Sequence, residues 1–346
     1  MPRARAVIPL AEVRDAVLTR CAGLADRDGP VGCYRSAPGR RPDLYAALDV
    51  ALLRGIMGED LQRTLSPSDR AAWAEHINSF ARHDHERGGD GVYDDRLGHA
   101  PLHANGMVIG ALGLLGARQA YPVTLYAPFA AADDVAGWLD GLDWVRQWSG
   151  SHAFWGGMHC YSFSRHCTPA WRDAVFAWLD REVDPVSGWW RRGVTPADRH
   201  QPLGGAAHLL PIYEHHGRAF PAPERILDST LALQLPSGRW LDGSPTPPLH
   251  YLELDALYVF RAMRAQAPGH RAGDIDAALD RYIDLVAATW NGQRDRLLSG
   301  HPHTLLAVVG TFGLLQQLRP EQFPDAVAWT DIFTDRKLYR TDQVEV

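Results

Sequence analysis

Cysteine is scarce in this chain: four residues in 346, Cys21, Cys33, Cys160 and Cys167, none of them in a C-x-x-C pair. That excludes a disulfide framework and makes a thiolate zinc site a poor expectation. Basic runs are absent beyond short pairs such as Arg191-Arg192, and the formal net charge is -6, so neither nucleic acid nor an anionic membrane is an expected partner. No window reaches the roughly 18 apolar residues that a membrane span needs. The start, Met1 to Leu10, carries arginines without a long apolar run, and a cytoplasmic location without membrane insertion is therefore expected. Alternating β-branched runs are rare, with Pro122 to Tyr126 the best and a short one.

What the chain has in quantity is helical periodicity. Apolar residues recur at three and four in Leu10–Leu24, Asp43–Met57, Ser66–His83, Pro101–Gly116, Ala131–Val145, Pro169–Val183, Pro202–His216, Glu224–Leu233, Leu249–Met263, Asp274–Thr289 and Pro302–Leu318. The less regular Ser151–Phe163 makes a twelfth. The segments alternate in character. One set is amphipathic and charged; the other is nearly uncharged and rich in small residues, as in Gly106 to Gly116 and Leu305 to Leu315. A helix that is apolar all round is buried on all sides. Six exposed helices alternating with six buried ones predict an all-α fold, an (α/α)6 toroid of six hairpins with inner and outer rings, in one domain spanning 1–346 with 319–346 as a tail packed on it. An α-solenoid is the alternative.

The expected inner helices share a start signal, since Pro42, Pro101, Pro202, Pro248 and Pro302 each stand where a periodic run begins. This places His103, His250 and Gly204 at third helical positions and His303 at a second. Parallel inner helices bring these first turns to one end of the ring, where a cavity mouth is expected. Two distant stretches also follow one template at identical spacing: Gly91, Tyr93, Asp95, Pro101, Leu102, His103 and Gly238, Trp240, Asp242, Pro248, Leu249, His250. Each copy delivers a histidine to the mouth.

Gln234-Leu-Pro-Ser-Gly238-Arg-Trp240 resembles the Q-x-x-x-G-x-W tail of the repeat in terpenoid cyclases and protein prenyltransferases; Asp184 to Trp190 and Arg87 to Tyr93 are weaker copies. The resemblance covers roughly residues 76 to 318 and implies a toroid in which the repeat is scaffolding. The chain departs from it in having Ser229-Thr230 where an aromatic-aliphatic pair is usual, and it lacks both the D-x-D-D acid motif and an Asp-x-Cys zinc motif. The nearest acidic string is Glu253-Leu-Asp255-Ala256. The order Asp43, Tyr45, His103, Cys160, Cys167 is also similar to the Asp, Tyr, His, Cys, Cys set of linalool dehydratase-isomerases, although both cysteines read equally as core thiols.

The chemistry is expected at the mouth, where His99, His103, His152, His159, His208, His250, His301 and His303 fall at or just before inner-helix openings. Imidazole at a helix N-terminus is biased to its neutral, basic form. Catalytic candidates are His103, His250, Glu253 (three residues from His250 and able to orient it), Asp94, Asp43 and Tyr45. Substrate-binding candidates are His152, Trp155, His159, Tyr161, His208, Tyr251 and His303. Each also has a structural alternative as a cap, a loop partner or packing, and Asp49 offers a carboxylate one turn beyond Tyr45. No cofactor and no metal ligand set is assigned. Aromatic faces and acid-base groups suit cyclisation, isomerisation or dehydration of a hydrophobic, isoprenoid-like small molecule by a lyase or isomerase. Alternatives are a carbohydrate-active (α/α)6 epimerase, lyase or hydrolase using paired histidines, and a non-catalytic binding toroid. Homo-oligomerisation stays open.

Overall fold

The computed structural model describes residues 6–82, 92–93, 97, 99, 101–121, 127–159, 161, 167–241, 243 and 246–333, with Pro101, Met158 and His159 described by backbone alone. Among these residues the protein is helical apart from one short strand pair. The helices are α1 (Leu10–Leu24), α2 (Leu44–Ile56), the single turn α3 (Leu61–Thr64), α4 (Pro67–Asn78), α5 (Pro101–Leu115), α6 (Ala132–Asp140) and α7 (Gln147–Phe154). They continue as α8 (Pro169–Glu182), α9 (Gln201–His215), α10 (Pro223–Leu233), α11 (Tyr251–Gln266), α12 (Ala272–Leu298) and α13 (Pro302–Leu318). A π-helical turn, Trp155–His159, extends α7. The one described strand pair sets Ala81–Arg82 against Val92–Tyr93. The strand expected over Pro122 to Tyr126 lies outside the described residues.

Local chemistry starts many of these helices. Ser66 and Thr168 cap α4 and α8 by accepting from Asp69 N and Trp171 N at 3.1 Å each, with proline next in line. His301 caps α13, its Nδ1 accepting from His303 N at 2.9 Å, again ahead of a proline. Proline marks the start less uniformly than expected. Pro101 and Pro302 are first helical residues and Pro202 is the second of α9, but Pro42 and Pro248 stay in the preceding loops. Gly204 is therefore the fourth residue of α9, and His250 is the N-cap of α11 with extended backbone.

The charge-poor helices pack on one another in a cycle. α2 packs on α5, α5 on the π turn extending α7, α7 on α9, α9 on α11, α11 on α13, and α13 returns to α2. Burial follows: every residue of α2 except Arg54 is buried, as are nearly all of α13 up to Leu315. The amphipathic helices lie against this cycle, α4 on α5, α10 on α11, and α12 on α13.

The G-x-W stretches act as ties. Gly238 has φ +90°, and a Cβ there would meet Arg281 O at 2.9 Å. Gln234 Nε2 donates to Gly238 O and, at 2.9 Å, to Ala278 O on α12. Trp240, fully buried, donates from Nε1 to Thr230 O on α10 at 2.9 Å, and Trp190 does the same to Leu179 O on α8. Trp240→Phe keeps an aromatic ring but leaves part of the indole's space empty and strands the Thr230 carbonyl; a loss of about 2 kcal/mol in urea unfolding is expected, and an unchanged midpoint would mean the tie carries no stability.

Beyond α13 the chain folds back over one end of the cycle. Thr330 N donates to Ile56 O at 2.9 Å and His215 Nε2 meets Phe333 O at 2.7 Å. Phe323, Trp329 and Phe333 are buried there.

Candidate functional site

Four of the six mutually packed helices present a stripe at i, i+3 or i+4 to a common space, α2 adds Leu52 and α9 adds His208. The residues are His103 and Met107 on α5, Trp148, His152 and Trp155 on α7 and its π turn, and Leu52 on α2, where Asp49 and Tyr45, one and two turns before it, are bonded to the site's histidines. α11 contributes Tyr251 and Asp255, and α13 contributes His303 and Leu306. Residues at that spacing share a helix face, so a helix that lines the space with one such residue lines it with the next.

The space has two parts. An outer vestibule of about 370 Å³ is bordered by His99, His152, His250, Arg146, Gln201 and Thr304 among others. A more enclosed inner chamber of about 40 Å³ has walls of Leu52, Met107, Leu306, Ile332, Phe333 and Trp155, with Asp255 among them. His103, His208, His303, Trp148 and Tyr251 border both, so they form the neck.

Imidazoles crowd that neck. The His99 and His103 rings stack at 4.3 Å, and His152 stands 4.8 Å from His103 and 5.0 Å from His99. His208 is 5.2 Å from His152 and shares a 2.8 Å hydrogen bond between Nδ1 and Ser151 Oγ. Tyr45 OH lies 3.0 Å from His103 Nδ1 and 3.2 Å from His99 Nδ1. His303 Nδ1 lies 3.2 Å from Oδ1 of the fully buried Asp49, whose Oδ2 has no hydrogen-bond partner among the described residues and is 4.0 Å from His301 Nδ1. Tyr251 OH donates to His303 O at 2.6 Å. His99, His103 and His303 each offer a ligand atom within 4.8 Å of the others, so together they could hold a metal ion.

Burial sets the protonation of these groups. Desolvation first, then neighbouring imidazoles, holds His103 and His208 well below the usual histidine range and pushes His152 down to about 3. Burial pushes the Asp255 carboxyl well above its ordinary range, with Glu253 adding to the rise. Burial also raises Asp49, opposed by His303. The chamber therefore pairs a carboxylic acid with neutral imidazoles.

A pH effect on stability follows. A folded-state histidine pKa below the unfolded value leaves the unfolded chain alone to take up the proton, so stability is full above about pH 6.5 and falls as pH drops below it. For His208, fixed neutral in the fold, the loss between about pH 7 and about pH 5.5 is about 1.3 kcal/mol. His208→Gln should lose that much less than the parent over the same interval in urea unfolding; parallel curves would mean that His208 titrates normally.

The structure sorts the sequence candidates. His103, Tyr45, His152, Trp155, His208, Tyr251 and His303 come together at the neck and its walls. His250 borders the vestibule, but as an N-cap rather than at a third helical position, because Pro248 is held in the loop by Tyr282 OH donating to its carbonyl at 2.9 Å. Glu253 does not orient His250: its Oε1 pairs with Arg239 Nε at 3.1 Å, while His250 Nδ1 is buried without a partner among the described residues. Asp43 is the cap of α2, accepting from Ala46 N at 2.9 Å and Ser36 N at 3.1 Å, so both oxygens serve the backbone. Tyr161 packs on Trp171 with centroids 4.5 Å apart and lines neither space. Asp94, Asp95, Asp242 and Cys160 lie outside the described residues, as does the side chain of His159.

Asp255 and Trp148 were not among the expected site residues, and His99 was expected at the mouth without a catalytic or binding role. The i+4 step from Tyr251 reaches Asp255 and the i-4 step from His152 reaches Trp148. His99 precedes its helix, so no helical period points to it.

Comparison of the chain with protein-family models, with curated proteins and with solved structures finds no match. Among the described residues no helix is long and apolar enough to cross a membrane.

Proposed function

We propose that the six mutually packed helices are the inner ring of an (α/α)6 toroid of the terpenoid cyclase and prenyltransferase kind. Its cavity dehydrates, isomerises or cyclises a hydrophobic, isoprenoid-like small molecule. One observation carries this reading: a carboxyl kept protonated by burial, Asp255, shares an apolar and aromatic chamber with imidazoles kept neutral, His103 and His208. An acid and a base that coexist in those forms are the requirement for moving a proton across a substrate. A chamber with one carboxyl among Leu52, Met107, Leu306, Ile332 and Phe333 suits a hydrocarbon better than a sugar ring.

For an allylic alcohol the step balances as follows. Asp255 gives its proton to the hydroxyl oxygen, the C–O bond breaks with its electron pair leaving as water, and an allylic cation remains. The π faces of Trp148 and Trp155 stabilise that cation. His208 Nε2, its ring held through Nδ1 by Ser151, takes a proton from the neighbouring carbon, whose C–H pair becomes the new double bond. Return of the proton from His208 to Asp255 through water restores both groups.

The test is incubation of the purified protein in deuterium oxide with two substrate panels, prenyl alcohols in one and hexoses and uronates in the other, followed by mass spectrometry. The expected result is a dehydrated, or isomerised and deuterated, prenyl product. Turnover of a sugar with no prenyl substrate consumed would overturn the reading.

A further inference from the structure

We infer that His99, His103 and His303 form a binding site for a divalent transition metal ion, zinc foremost, at the neck between vestibule and chamber. One ligand-capable atom of each ring lies within 4.8 Å of the other two. Tetrahedral zinc with bonds of about 2.0–2.1 Å to nitrogen sets its ligand nitrogens roughly 3.4 Å apart, so the three rings need to close by at most about 1.4 Å. Rotation of the half-buried His99 and His303 rings toward the buried His103 supplies that movement.

Three further observations favour a metal over a merely packed group of rings. One nitrogen of each ring is held: Asp49 Oδ1 sits 3.2 Å from His303 Nδ1, and the Tyr45 hydroxyl sits 3.0 Å from His103 Nδ1 and 3.2 Å from His99 Nδ1. A carboxylate or hydroxyl on one ring nitrogen fixes the orientation in which the other nitrogen ligates, which is the usual outer support of a histidine metal site. Asp49 is fully buried with one oxygen unpartnered among the described residues, and its other oxygen holds His303 in place. The neck also opens to the vestibule, so an ion has a route in.

The donor set selects the ion. Three neutral nitrogens without an oxygen ligand suit zinc, copper, nickel or iron, and disfavour magnesium and calcium. Three protein ligands leave a position open, and neutral ligands leave the ion's charge undiminished, the arrangement of a catalytic Lewis acid. In the reaction proposed above, which is the only part of this inference that rests on that proposal, the open position takes the substrate's oxygen while Asp255 and His208 handle protons.

The experiment is a titration of chelator-treated, chelator-free protein with Co2+ as the spectroscopic probe. One equivalent should produce the visible absorption of a four- or five-coordinate ion, Zn2+ should abolish it, and either ion should raise the melting temperature. His99→Ala and His303→Ala, folded by circular dichroism, should lose the band, and Asp49→Asn should weaken binding about 10- to 100-fold. Asp255→Asn should bind as the parent does, which separates failure of the metal site from failure of the acid-base reading. Absence of a visible band in the parent protein would overturn the inference, as would equal affinity in the parent and in folded His303→Ala.

Discussion

Replacing Asp255 by asparagine is expected to lower turnover of the prenyl substrate by about 10²- to 10⁴-fold, the usual worth of a positioned general acid. The expectation rests on where α11 puts this side chain. Asp255 lies one turn beyond Tyr251, is only 3% exposed and lines the inner chamber, and its Oδ2 has no hydrogen-bond partner among the described residues. Among the described residues no cation holds the ionised form; burial and the neighbouring Glu253 both favour the proton. Asparagine has the same shape and carries no transferable proton. Because the native group is neutral in the fold, the substitution removes no buried charge, and the melting temperature should stay level or rise.

The parent protein should also lose the proposed activity on the alkaline side as Asp255 ionises, since its raised pKa means that the protonated, active form is present below that pKa and is lost above it. The residual activity of Asp255→Asn should lack that alkaline limb. Turnover within tenfold of the parent would remove Asp255 from the reaction.

Gly156→Ala should be the most damaging single methyl in the molecule. A Cβ at Gly156 would lie 1.6 Å from Leu102 O and 2.5 Å from His103 N, both backbone atoms of the first turn of α5. A flexible side chain could move aside, but a helix turn cannot without carrying its neighbours. The expected cost is at least about 4 kcal/mol, beyond the usual 1 to 3 for an added methylene. The close approach also has a functional consequence. It brings the π turn against α5, so that the Trp155 and His103 rings stand 5.3 Å apart at the chamber wall. Any protein that does fold should therefore bind Co2+ weakly, because His103 is displaced. A melting temperature within a few degrees of the parent's would show that the two backbones are not held together.

Much of the helical layout was legible in the sequence. All twelve periodic segments contain a helix, and the charge-poor ones are those that pack in a cycle. Periodicity and capping are local, and both act within a turn or two of chain. The third charge-poor segment shows the limit: its helix begins at Gln147 rather than Ser151 and widens into a π turn at Trp155, where Gly156 lets α5 come close.

The site was legible one helix face at a time. Tyr45, His103, His152, His208, Tyr251 and His303 were recognised from their place near inner-helix openings, and they do meet at the neck. Which carboxylate accompanies them was not legible. Asp43 and Asp49 are both acids on the same helix segment, yet one is spent on the α2 cap and the other faces His303. Glu253 and Asp255 are two residues apart, so they point to different sides; Arg239 claims the first and the chamber receives the second.

By itself, then, the sequence determined a predominantly helical chain, the location of twelve of its helices, and the division into charged and charge-poor sets, because those follow from short-range periodicity and composition. It did not determine their ends: the segment Ser66–His83 stops as a helix at Asn78 and gives way to the strand Ala81–Arg82, and Asp274–Thr289 runs on to Leu298. The tertiary structure alone decided the phase of each mouth residue and the identity of the acid. The Pro-Leu-His triplet places His103 inside α5 but leaves His250 as a cap, since long-range bonds from Tyr282 to Pro248 and from Arg239 to Glu253 hold the second copy in its loop. Hydrogen bonds between residues tens of positions apart leave no mark in local spacing, and they set which of two like side chains reaches the cavity.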